Sequence, residues 1–114
     1  MSEIDAVRAQ IAALRQREQE LLRKAAEEAG IVDLMERLLE IEYRLDDLKG
    51  RDGTSRAKNG VEIHMKLRKA KQFIDELKVA GKDVTEASAF AIHLMERTLL
   101  EAFELRPESI KNDG

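Results

Sequence analysis

Between Ile31 and Leu48 the apolar positions fall at Ile31, Leu34, Leu38, Ile41, Leu45 and Leu48, in alternating steps of three and four. That spacing puts all six on one side of an α-helix and makes a seam that requires a partner surface. Val32, Met35 and Leu39 add a second apolar row, so the stripe is wider than a two-stranded coiled coil uses and suits a bundle. Upstream, Ile4, Val7, Ile11, Leu14, Leu21 and Ala25 keep a heptad interrupted by Glu18. Ser2 and Asp5 have capping-box spacing, which predicts a first helix from there to about Glu28.

Extended from Ala25, the first heptad arrives one residue out of step with the 31–48 seam, and the break coincides with Gly30. Glycine suits the position just past a helix end, and Asp33 with Glu36 has the spacing of a fresh cap. A turn or kink at 29–32 is therefore expected, then a second helix over Asp33–Lys49; one continuous helix with a phase skip is the alternative. Residues 50–60 hold three glycines and no large apolar side chain, the pattern of a basic hinge. Ile63, Leu67, Ala70, Ile74 and Leu77 then predict a third helix ending near Gly81. Asp83 and Glu86 again show cap spacing. A fourth helix is expected over about Thr85–Leu105, the most buried of the four, because Phe90, Ile92, Leu94, Met95, Leu99, Leu100, Ala102 and Phe103 cover more than one side. Arg106-Pro107 ends it.

The expected organisation is thus an N-terminal helical hairpin or coiled-coil oligomerisation region at 1–49, a hinge at 50–60, a helical pair at 61–106 and a flexible tail at 107–114. In fold class this is all-α, helical hairpins forming a coiled-coil-like or helical-bundle oligomer. With 38% charged and 4% aromatic residues and one proline, the composition favours long solvated helices. No cysteine is present, which excludes disulfides, thiolate nucleophiles and cysteine-held metal centres. The acidic opening Met-Ser-Glu-Ile-Asp lacks the basic start and apolar run of a secretory leader, and no apolar run approaches the roughly 20 residues of a membrane span. A cytoplasmic protein that does not enter the membrane is expected.

The net charge of −3 conceals a segregation. Residues 1–50 carry 12 acidic to 8 basic side chains, 51–82 carry 4 to 9, and 83–114 carry 7 to 3. A basic middle between acidic ends serves either complementary packing of helices or contact with an acidic partner or nucleic acid. The candidate contacts are Arg51, Arg56, Lys58, His64, Lys66, Arg68, Lys69 and Lys71.

Chemistry is sparsely signalled. His64 and His93 are the only histidines and neither lies a helical turn from another. His93 does precede Glu96 by three, but a carboxylate metal bundle needs a second such motif. No phosphate loop, serine elbow or dinucleotide fingerprint is present. No enzyme activity, cofactor or metal is expected.

One stretch also fits a different element. Val61-Glu62-Ile63-His64-Met65-Lys66-Leu67 alternates apolar and polar as a strand does. A strand there, followed by two helices, resembles in outline the ribbon-helix-helix repressors over about 45 residues. That resemblance implies Glu62, His64 and Lys66 facing DNA bases. The leading expectation is instead a non-enzymatic oligomerisation and protein-interaction protein of adaptor or regulatory type. It would self-associate through Ile4, Val7, Ile11, Leu14, Leu21, Ile31, Leu34, Leu38, Ile41, Leu45 and Leu48 and engage another protein, with the DNA-binding regulator as the alternative.

Overall fold

The computed structural model describes residues 2–104, which form four helices and no strand: α1 (Glu3–Ala29), α2 (Val32–Asp46), α3 (Gly53–Val79) and α4 (Thr85–Phe103). The Ser2 hydroxyl accepts the Asp5 N–H at 3.2 Å and opens α1. Gly30, at φ +72°, closes it: the Gly30 N–H reaches the Glu27 carbonyl and the Ile31 N–H the Ala26 carbonyl at 2.9 Å. This pair of bonds is a Schellman closure, with buried Ile31 and Ala26 as its apolar contact. The turn is so tight that α2 starts at Val32, earlier than its expected Asp33 cap. Ile31 takes the cap position without a side-chain bond, and Asp33 lies in the first turn, where its charge complements the helix dipole.

The expected hinge at 50–60 is largely helical. Asp52 Oδ1 accepts the Ser55 N–H at 2.8 Å, caps α3 and starts it at Gly53, which leaves only 47–52 between α2 and α3. Gly60 is buried inside α3 for a packing reason: a Cβ built there would lie 2.5 Å from Ala102 Cβ on α4. The glycine lets the two backbones approach. Residues 61–67 continue the same helix, so the strand, and with it the ribbon-helix-helix outline, is overturned. Ile63 and Leu67 share a buried seam with Ala70 and Ile74, whereas Val61 and Met65 face solvent. Four apolar positions at helical spacing outweigh a seven-residue alternation.

A second Schellman turn ends α3, with Gly81 at φ +84° and the Lys82 N–H on the Leu77 carbonyl. Asp83 Oδ1 accepts the Thr85 N–H at 3.0 Å as α4 begins. Val84 holds the cap position itself, so Asp83 acts one residue earlier than its spacing with Glu86 suggests. The expected end of α4 at Leu105, the Arg106-Pro107 stop and the 107–114 tail lie outside the described residues.

The core forms around α2. Ile31, Leu34, Leu38, Ile41, Leu45 and Leu48 are each at most 4% exposed, packed in one cluster with Met35, Leu39, Ile63, Leu67, Phe90 and Leu94. Burying such side chains contributes about 1.5–3 kcal/mol each before entropy is subtracted. The 31–48 seam therefore serves the interior of one chain, a correction to its reading as an interface between copies. α2 also displaces α4 as the most buried element, since Ile92 and Leu100 on α4 are exposed. No helix among the described residues is long and apolar enough to cross a membrane.

Candidate interaction surfaces

α1 is held to the bundle by a polar ladder along its C-terminal half. Arg15 Nη2 donates to Asp46 Oδ1 at 2.9 Å, Gln19 Nε2 to Glu42 Oε1 at 2.7 Å, and Arg23 Nε to Glu36 Oε1 at 3.0 Å. These rungs run α1 antiparallel to α2. Only Ala26 of α1 is buried, and every residue from Ser2 to Leu14 is exposed. Along this helix Ile4, Val7, Ile11, Leu14 and Leu21 are 49–70% exposed. Leu14 and Leu21, with Leu22 and Ala25, also wall a cleft closed on the far side by Glu86 of α4.

The lowest rung joins a three-helix charge network. Asp46 accepts from Arg15 and, at 2.9 Å, from Arg97 Nη2, while Arg97 Nε donates to Glu101 Oε2 at 2.6 Å. Arg97 has only 15% of its side chain exposed. Burial pushes the Asp46 carboxyl up, but the hydrogen bonds and charges of Arg15 and Arg97 outweigh it and hold the carboxyl below its usual value. The bond to Glu101, opposed by burial and aided by Asp46, likewise keeps Arg97 firmly protonated. Sequence reading missed this network: the Arg97–Glu101 spacing is visible along one helix, but the link to Asp46 spans 51 residues.

The basic candidates do not assemble into one face. Arg51 pairs with Asp47 at 2.8 Å, and Arg56 with Glu104 at 3.2 Å across the α3–α4 end. Lys58 and Arg68 are exposed. Lys66 and Lys69 face α2, where they line a cleft with Arg37 and Glu40. Lys71 turns toward α4 and His64 is half-buried. Arg37 lies 4.8 Å over the Phe73 ring. No group of three metal-ligating side chains occurs among the described residues.

A second apolar surface lies between α3 and α4. Leu67, Ile74, Ala91, Ile92 and Met95 line a groove of about 350 Å³, with Lys71 and Asp75 on the α3 wall and Glu96 on the α4 wall. In comparisons with known proteins, the chain matches no family model, no curated protein and no solved structure.

Proposed function

We propose that this chain is a non-enzymatic helical assembly and protein-interaction module that self-associates through the apolar face of α1. The observation that carries the reading is the stripe Ile4, Val7, Ile11, Leu14 and Leu21, 49–70% exposed on a helix of which every residue from Ser2 to Leu14 is exposed. Isolated exposed apolar residues are ordinary, but Ile4, Val7, Ile11 and Leu14 at heptad spacing form a contiguous surface of the kind that marks an interaction site. Three exposed helical turns are also marginal in water, and a packed partner would stabilise them. A second protein engages the surface that self-association leaves open, in a reducing cytoplasm suited to a chain without cysteine.

Sedimentation velocity across a concentration series tests this. The wild-type protein should exceed one chain per particle at about 50 μM, within the range of ordinary protein–protein affinities. Ile11→Asp should return it to a monomer with unchanged helix content, because Ile11 supports no core. A monomeric wild type at that concentration refutes the reading.

A further inference from the structure

We infer that the cleft between α2 and α3 is the docking surface for the second protein and that it takes a short acidic segment; this names the partner's chemistry and rests on the protein-interaction half of the reading above. Two adjoining clefts, of about 250 and 400 Å³, share Arg37 of α2 and Lys69 of α3. Together they run along α3 from Lys66 to Glu76, about 15 Å of helix at 1.5 Å per residue. That length matches an extended segment of about five residues. Helical spacing builds the lining: Lys66, Ala70 and Phe73 step by four and three along α3 with Lys69 beside them, and Arg37 and Ile41 step by four along α2. Ile41, Ala70 and Phe73 supply its apolar part, and Arg37, Lys66 and Lys69 its cations. Of the acids in the lining, Glu40 accepts from Arg44 Nη2 at 3.3 Å, which offsets its charge, and Glu76 stands at the far end.

Arg37 is the anchor of this surface. Its guanidinium lies 4.8 Å over the Phe73 ring, so stacking occupies a face of the group while its N–H donors radiate in the plane, free to donate in pairs to a carboxylate. The ring also restricts the side chain before a ligand arrives, which lowers the ordering cost of binding. An acidic peptide suits the cleft better than nucleic acid does. Three phosphate contacts give an affinity that falls steeply with salt, whereas a segment of alternating acidic and aliphatic residues meets both the cations and the apolar lining.

Fluorescence anisotropy with the full chain and labelled peptides tests this at about 0.15 M salt, where charges more than about 8 Å apart are largely screened. A peptide of about five residues alternating glutamate and leucine should bind with a Kd on the order of 100 μM, and its glutamine–leucine counterpart at least about tenfold more weakly. Lys66→Gln combined with Lys69→Gln should weaken the acidic peptide by about tenfold or more. Arg68→Gln combined with Lys71→Gln removes the same charge from the sides of α3 away from the cleft and should change binding less than about twofold. Arg37→Lys keeps the charge but loses the planar fork, and should weaken binding about threefold or more. All five positions are exposed, so the folded core is left intact, and circular dichroism checks the helix content. No binding of the acidic peptide, equal binding of the glutamine form, equal losses from the two double variants, wild-type binding by Arg37→Lys, or tighter binding of duplex DNA than of the peptide overturns the assignment. Self-association stands or falls separately, by sedimentation.

Discussion

At the scale of single residues, Gly60 and Asp46 carry the clearest consequences. Gly60→Ala places a methyl group 2.5 Å from Ala102 Cβ and 3.1 Å from Phe103 Cζ. Better helix propensity favours the alanine by about 1 kcal/mol, but overpacking a close helix contact costs about 1–3 kcal/mol, so a net loss is expected. Thermal melts should show a lowered Tm, with partial recovery when Ala102→Gly is added. Asp46 acts through its charge. Its folded-state pKa lies below the ordinary carboxylate value, so its contribution is present above about pH 4 and is lost as pH falls through the lowered value. Asp46→Asn should cost about 1–3 kcal/mol at pH 7 by leaving Arg97 short of a charged partner, and should flatten the stability profile below pH 4 in acid titrations.

At the scale of the element, helix starts and stops account for the differences between expectation and structure. α3 begins eight residues before Val61 because Asp52 caps it, and the glycines at 53 and 60, which read as hinge, are absorbed into the helix. Asp52→Ala should therefore fray the first turns of α3 at a cost of about 1 kcal/mol, visible as faster amide exchange over 53–58 with little change beyond Ile63. α1 has the opposite character. Its cap at Ser2 and its stop at Gly30 were legible from spacing alone, yet its apolar heptad remains in solvent while a polar ladder holds its other side.

At the scale of the whole molecule, the helices divide the apolar surface between an interior and an outer remainder. Folding α3 and α4 over α2 satisfies the 31–48 seam inside one chain, and leaves the α1 stripe and the α3–α4 groove outside. The same packing disperses the basic segment: Lys66 and Lys69 point to α2, Lys71 to α4, and Arg51 and Arg56 are paired. Duplex DNA should accordingly bind weakly, without sequence preference, and release near physiological salt, since few cations are held together to displace counterions. Fluorescence anisotropy with two unrelated duplexes checks this; tight discrimination between them at about 0.15 M salt would contradict it.

The all-helical class, the four helices, the turn at Gly30 and the seam of α2 were determined by the sequence itself, because they rest on periodicity, caps and glycine, all local properties of the chain. Which seams face inward was not. Ile4–Leu14 and Ile31–Leu48 show the same three-four spacing, and only the packing of α3 and α4 onto α2 decided that the second is core and the first is surface. Likewise Asp46, Arg15 and Arg97 are unremarkable charges along the chain until three helices bring them together. Periodicity tells a helix that it has an apolar face; what covers that face depends on contacts between residues distant in sequence, which no local pattern encodes.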